Sequence, residues 1–251
     1  MHIRIDGSGT GPAILFANSL GTDLRLWDQV LPLLPPGLRT IRYDKRGHGL
    51  SDAAPGATMA DLADDAIALA EHAGGGPVVF VGLSIGGLIA QTAAARRPGL
   101  FRALVLSNTA ARLGTPDSWQ ARIDAVAAGG MAAIADAVME RWFAPAFRAS
   151  DSLPPWRTML LRSDPAGYVD ACRALAGADQ TQATARLRLP VLAIGGDADG
   201  ATPPDLVRAT ADLIPGAAFH LIPGAGHLPC VEAPDRWAAI VSPFVRAACN
   251  V

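Results

Sequence analysis

The residues most able to do chemistry in this chain are a serine between glycines and a set of histidines and aspartates that follow it. Gly82-Leu83-Ser84-Ile85-Gly86 fits G-x-S-x-G at the junction of an apolar run, PVVFVG, and an Ala-rich stretch, IGGLIAQTAAARR. A strand–turn–helix at this pattern is the setting that lifts a nucleophilic hydroxyl clear of the backbone. Glycines suit it because bulky neighbours would collide with the adjoining backbone of so tight a turn. The helix beginning after Ser84 turns free N–H groups and the positive end of its dipole towards the serine, which favours negative charge there. The plainer reading, a serine that only caps a helix, leaves the strand before it unexplained.

A serine hydroxyl attacks only with a base beside it, and the base must be oriented by a third group. Of the five histidines, His2 lies at the terminus and His72 at a helix end, both surface positions, and His220 falls within a strand. His48 sits in the loop Tyr43-Asp44-Lys45-Arg46-Gly47-His48-Gly49 after a strand, where it helps hold a Gly-rich turn near the site. His227, in Pro223-Gly224-Ala225-Gly226-His227-Leu228-Pro229, follows the last strand, where the chain order Ser…Asp/Glu…His puts the base. The acid must precede it, and Gly195-Gly196-Asp197-Ala198-Asp199-Gly200 offers two aspartates after a strand. Asp205 and Asp212 read as charges at the start and on the surface of a helix. A tetrahedral intermediate also needs two N–H donors aimed at its oxyanion. Ile85, the residue after the nucleophile, supplies one, and the loop Asn18-Ser19-Leu20-Gly21 after another strand is the place for the second.

The elements needed to bring these residues together are legible as short apolar runs alternating with amphipathic stretches. Ala13–Ala17, Leu38–Tyr43, Pro77–Gly82, Ala103–Ser107, Val191–Gly195 and Ala217–Ile222 read as strands, bounded by Gly, Pro or Asn. Leu24–Leu33, Met59–Glu71, Ile85–Arg96, Pro204–Leu213 and Asp235–Ala247 read as helices. Such alternation predicts an α/β fold with a mainly parallel central sheet covered by helices on both faces. Its ligands bind at the carboxyl ends of the strands, where Ser84, the two aspartates and His227 all fall. The alternation breaks from about Arg112 to about Arg188, a helical stretch punctuated by Gly129-Gly130, Pro145, Pro154-Pro155 and Pro165 and holding Trp119, Trp142 and Trp156. The expectation is a helical lid, residues 112–188, inserted in a core formed by residues 1–111 and 189–251.

Bulk properties narrow the function further. The 251 residues suit one sizeable domain, half of them are hydrophobic, and the net charge of -2 gives no electrostatic case for nucleic acid or an anionic membrane. Cys172, Cys230 and Cys249 are too widely spaced for a disulfide framework or a zinc site and read as inert or buried thiols. No H-E-x-x-H or C-x-x-C occurs, so no metal is expected, and the triad chemistry calls for no cofactor. The N-terminal stretch lacks the charge and apolar length of a secretory signal, and no apolar run is long enough to span a bilayer. The expectation is a cytoplasmic enzyme acting on a small molecule, a monomer or small homo-oligomer.

The motifs resemble those of one family. Phe16-Ala17-Asn18-Ser19-Leu20-Gly21-Thr22-Asp23-Leu24-Arg25 with Trp27, Arg46-Gly47-His48-Gly49-Leu50-Ser51 and Gly82-Leu83-Ser84-Ile85-Gly86-Gly87-Leu88-Ile89 look like segments of the 3-oxoadipate enol-lactonases, of the α/β-hydrolase fold. More specific are Ser107-Asn108-Thr109-Ala110-Ala111, Trp119, Arg122-Ile123 and Arg141-Trp142-Phe143, which fall at the lid entrance and within it, where hydrolase subfamilies differ. The resemblance implies that Asp199, with Thr202-Pro203 in a D-x-x-T-P arrangement, is the acid, and that Asp197 is a turn residue. It also implies that Leu20 gives the second oxyanion donor, Asn18-Ser19 standing where many relatives have His-Gly. The implied reaction is hydrolysis of 3-oxoadipate enol-lactone to 3-oxoadipate, in aromatic catabolism. That substrate carries a free carboxylate, which is costly to bury unpaired; Arg141 is the first candidate to receive it, with Trp142 as an apolar wall. The same triad would equally serve a carboxylesterase, a C–C bond hydrolase, a perhydrolase or a slow-turnover receptor on this fold. The chain departs from the family pattern in two places: the usual first strand is missing or very short, and Lys45 precedes Arg46 where small or polar residues are usual.

Overall fold

A computed structural model describes residues 1–7, 11–73 and 76–251. Among the described residues, seven strands form one sheet: β1 (Ile3–Asp6), β2 (Ala13–Ala17), β3 (Arg39–Tyr43), β4 (Val78–Leu83), β5 (Phe101–Ser107), β6 (Val191–Gly196) and β7 (Ala218–Ile222). Their spatial order is β1-β3-β2-β4-β5-β6-β7, with every pair parallel except β1 with β3. Every residue of β2, β4 and β6 is buried, so both faces of the sheet are covered, as continuous apolar runs require.

The helices are α1 (Met59–Ala73), α2 (Ile85–Arg96), six between β5 and β6, then α9 (Pro204–Asp212), α10 (Pro229–Glu232) and α11 (Pro234–Cys249). The six are α3 (Pro116–Gly129), α4 (Ala132–Trp142), α5 (Pro145–Arg148), α6 (Leu153–Leu161), α7 (Pro165–Ala176) and α8 (Thr181–Thr184). Helix α2 is buried almost all round, from Ile85 to Ala94, because it lies against β2, β4 and β5 and is overlaid by α1 and α8. None of these helices is long and apolar enough to cross a membrane.

The strand order reverses at β2: from β2 the chain steps outward to β3, then returns to place β4 on the other side of β2. The crevice outside the carboxyl ends of β2 and β4 is therefore the switch point at which open α/β sheets bind ligands. The loop Asn18–Gly21 and Ser84 both emerge there. Helices α3–α8 do not form a core of their own: Ile123, Val138, Trp142, Phe143, Leu160 and Tyr168 join the same buried cluster as the sheet. Their approach is close, since a Cβ on Gly47 would sit 2.3 Å from the Cα of Gly167 in α7.

The strand ahead of Ala13–Ala17 is very short, one of the two alternatives expected for the start of the sheet: β1 has four residues, registered Ile3 to Tyr43 and Asp6 to Thr40. Its isoleucines, Ile3 and Ile5, remain exposed at the sheet edge. The stretch Leu24–Leu33 is two short 3-10 turns, Leu24–Trp27 and Leu31–Leu33, not one helix. Asp23 caps the first turn through the Arg25 N–H, and Pro32 has no N–H to carry a continuous ladder.

Candidate active site

Ser84 has φ 58° and ψ -120°, a conformation that costs a non-glycine residue about 1–3 kcal/mol. The surroundings over-determine it. Its N–H donates to the Ser107 carbonyl at 3.1 Å, and its carbonyl accepts from Gly87 N at 2.9 Å, Leu88 N at 3.2 Å and Thr109 Oγ1 at 2.7 Å. The glycines are sterically obligatory: a Cβ on Gly82 would lie 2.3 Å from the Gly86 carbonyl oxygen, and one on Gly86 2.1 Å from the Ala17 carbonyl oxygen. Ser84 is half-buried among fully buried neighbours, which leaves it facing a pocket that His227 also lines.

His227 is 1% and Asp199 6% exposed, and they meet with Nδ1···Oδ2 at 2.9 Å. Asp199 is gripped from every side. Its Oδ1 accepts from Ala201 N at 2.7 Å and Thr202 N at 2.9 Å, and its Oδ2 accepts from Asn108 Nδ2 at 2.9 Å and from Thr202 Oγ1. Burial works against its charge, but the His227 imidazole and these hydrogen bonds outweigh burial and hold the carboxyl below the usual carboxylate range. With so many donors on Asp199, His227 can present only an N–H from Nδ1, which leaves Nε2 as the basic nitrogen. The backbone of His227 is fixed by donating its N–H to the Trp142 carbonyl at 2.7 Å. Asp197 points elsewhere, accepting the Gly224 N–H in a turn, while His220 is exposed on β7.

Ile85 opens α2, so its N–H is one of the donors a helix leaves without an internal partner. Asn18 ties the other loop down, donating to the Tyr43 carbonyl at 2.8 Å and accepting from Trp27 Nε1 at 2.7 Å. Leu20 follows and lines the pocket; among the described residues its N–H has no acceptor. Gly21 at φ 76° lets Leu160 and Tyr168 pack down on this loop, where a Cβ would meet Leu160 Cδ1 at 2.6 Å.

Across the pocket stand Arg122 and Arg141, both in its lining, with Trp142 buried beside them. Arg122 lies 5.7 Å from the centre of the Trp119 ring and donates to the Tyr168 hydroxyl at 3.3 Å. Among the described residues neither guanidinium has a carboxylate within ion-pair distance. Arg141 is exposed at the rim. Partial desolvation, then the nearby Arg122 charge, lowers its pKa against the smaller upward pulls of Tyr168 and Asp199.

The model of the alpha/beta hydrolase fold family matches residues 12–234. The chain belongs to the α/β-hydrolase family. It is 34% identical over 249 residues to 3-oxoadipate enol-lactonase 1 of Acinetobacter baylyi, with 98% of this chain and 93% of the relative covered. The solved enol-lactonase from Burkholderia xenovorans LB400 superposes with a TM-score of 0.93 at 36% identity, covering 97% of this chain and 95% of that one. A thermophilic esterase from Thermogutta terrifontis superposes with a TM-score of 0.91 at 30% identity, covering 98% and 94%.

In this hydrolase the structure also brings in residues to which motif reading assigned no role. Asn108, at φ 48°, donates to both Asp199 and the Gly226 carbonyl. Its only sequence signal is its place in Ser107-Asn108-Thr109 at the end of a strand. Glu232 bridges the insertion to the histidine loop, Oε2 accepting from Ala144 N at 2.9 Å and Oε1 from Gly226 N at 2.7 Å. Arg122 and Tyr168 reach the pocket from α3 and α7; Arg122 carries the signal of the Arg122-Ile123 resemblance but no role from it, and no local pattern distinguishes Tyr168 from other helix residues. His48 is buried but does not line the pocket. Burial, then the Lys45 charge, pushes its pKa well below the usual histidine range, so it stays neutral.

Proposed function

We propose that this hydrolase opens the ring of 3-oxoadipate enol-lactone by acyl transfer to Ser84, with His227 as general base, Asp199 as its orienting acid, and Leu20 and Ile85 N–H groups as the oxyanion donors. The observation that carries the substrate assignment is the pair Arg122 and Arg141, cations without carboxylate partners within ion-pair distance among the described residues, in the wall of the pocket that Ser84 and His227 line. A small lactone bearing a free carboxylate meets both needs at once: a carbonyl for the serine and an anion for the guanidiniums. The names of the similar Acinetobacter and Burkholderia proteins support the same substrate.

The steps follow from the chemistry. Ser84 gives its proton to His227 Nε2 as its Oγ bonds to the lactone carbonyl carbon. The carbonyl oxygen takes the negative charge under the two N–H groups. Collapse breaks the ring C–O bond, and the departing enol oxygen receives the proton from His227. The enol, still tethered through the acyl-enzyme, tautomerises to the ketone. Water then gives a proton to His227 and its oxygen bonds to the acyl carbon. Ser84 leaves with that proton, releasing 3-oxoadipate. Helices α3–α8 act as a lid over this site, excluding water from the bound lactone. The reaction belongs to cytoplasmic aromatic catabolism through the β-ketoadipate pathway.

The test is the loss of enol-lactone absorbance with purified protein, against hydrolysis of simple neutral esters. A kcat/KM for the enol-lactone well above that for neutral esters of similar size is expected. Simple esters cleaved far faster would overturn the substrate assignment.

A further inference from the structure

Lys45 is where this chain departs from the loop it otherwise resembles, and the mechanism above leaves it unused. It is only 2% exposed. Its Nζ donates to the Ser19 carbonyl at 2.6 Å and the Thr22 carbonyl at 3.4 Å. The nearby carboxylates are engaged elsewhere: Asp23 with Arg25 at 2.6 Å, and Asp44 with His2 at 2.7 Å and the Leu24 N–H at 2.7 Å. The remaining titratable neighbour, His48 on the same loop, is held neutral. A buried cation thus rests on two carbonyl oxygens, a costly arrangement to keep without a purpose.

One of those carbonyls belongs to the Ser19–Leu20 peptide. In a planar trans peptide the C=O and N–H point in opposite directions. The Ser19 oxygen is claimed by Lys45 Nζ, Thr22 N at 3.3 Å and Thr22 Oγ1 at 2.9 Å, on the side away from the Leu20 N–H. A cation on the oxygen end draws electron density through the amide and makes the N–H at the other end a stronger donor. We propose that Lys45 is a positioning residue for the oxyanion hole, fixing and polarising the Ser19–Leu20 peptide so that the Leu20 N–H receives the developing negative charge. This rests on the acyl-transfer reading of Ser84.

Burial pushes the Lys45 ammonium down to about 7, against the upward pull of Asp44 and Asp23. The cation is therefore present below that pH and is replaced by a neutral amine above it. An amine still donates a hydrogen bond, but the polarising charge is gone.

The experiment compares wild type with K45M, similar in length and without charge, using an activated ester and the rate of Ser84 labelling by a fluorophosphonate. Thermal unfolding shows whether K45M is folded, and K45Q, which keeps a donor without the charge, is measured alongside. Below pH ~7, kcat and labelling should fall about 10- to 100-fold in K45M while KM changes less than about twofold. The wild-type to K45M ratio should then shrink as the pH rises through about 7. A purely structural lysine would leave that ratio flat with pH, and an unchanged kcat in folded K45M would overturn the proposal. Activity remaining in S84A would instead refute the acyl-transfer reading; inactive S84A beside unaffected K45M would reject only the role of Lys45.

Discussion

Replacing Asp199 by asparagine exchanges one carboxylate oxygen for an NH2 group, and its consequences can be worked out from the partners of the carboxylate. The Oδ1 side faces two backbone N–H groups, Ala201 and Thr202, which cannot rotate away. The amide oxygen of the substituted side chain must take that side, so its NH2 occupies the Oδ2 side and faces the Asn108 NH2 and His227 Nδ1. Donor then meets donor at Asn108, and a buried unsatisfied group costs about 1–3 kcal/mol of stability. His227 can meet the new NH2 only by turning Nδ1 into an acceptor, which places its proton on Nε2 and removes the lone pair that the proposed mechanism offers to Ser84. A wrong tautomer costs about 10⁴ in kcat, or about 5.5 kcal/mol of transition-state stabilisation. Stopped-assay kinetics on an activated ester, with thermal unfolding as the control, measures both effects. A folded D199N within about tenfold of wild type would refute the reasoning, as would D197N costing more than D199N.

Two further outcomes follow from the pocket and from the histidine loop. R122M and R141M should each raise KM for the enol-lactone roughly 10- to 100-fold while leaving hydrolysis of a neutral ester nearly unchanged, since a charge-assisted hydrogen bond is worth about 1.5–3 kcal/mol; equal losses on both substrates would remove the arginines from substrate recognition. Burial pushes the Glu232 carboxyl up to about 7 from 4.5, against the pull of its two N–H donors. The folded state thus holds more protons than the unfolded one between those values, so the stability from Glu232 is complete below about 4.5 and is lost as the pH rises through about 7. Discounted for a partly exposed group, wild type should lose about 2 kcal/mol of stability relative to E232Q from about pH 5 to about pH 8. Parallel pH–stability curves would contradict it.

Much of this architecture is legible in the chain because strands buried on both faces are continuous apolar runs and helices carry caps and breakers. Ala13–Ala17 and Ile85–Arg96 have the bounds expected of them, since Gly and Pro punctuate both. The strand Ile3–Asp6 is illegible for the opposite reason: it is four residues long, lies at an edge and keeps its isoleucines in solvent, so no inward face is patterned. The GxSxG turn and the order of acid and histidine are local or nearly local signals, and they lead to residues that meet at one pocket. Asn108, Glu232, Arg122 and Lys45 matter through partners far along the chain, such as Asn108 with Asp199, 91 residues away. Their side-chain types are ordinary, and only the fold says what they face. Asp199 over Asp197 is an intermediate case: Thr202, three residues on, marks the choice and then binds the carboxylate through both its N–H and its hydroxyl.

The central claim is covalent attack by one side chain, and intact-protein mass spectrometry tests it most directly. Wild-type protein quenched during turnover of a slowly deacylating ester should carry a single acyl adduct, mapped by proteolysis to Ser84, and S84A should carry none. An adduct elsewhere, or full turnover by S84A, would contradict the account.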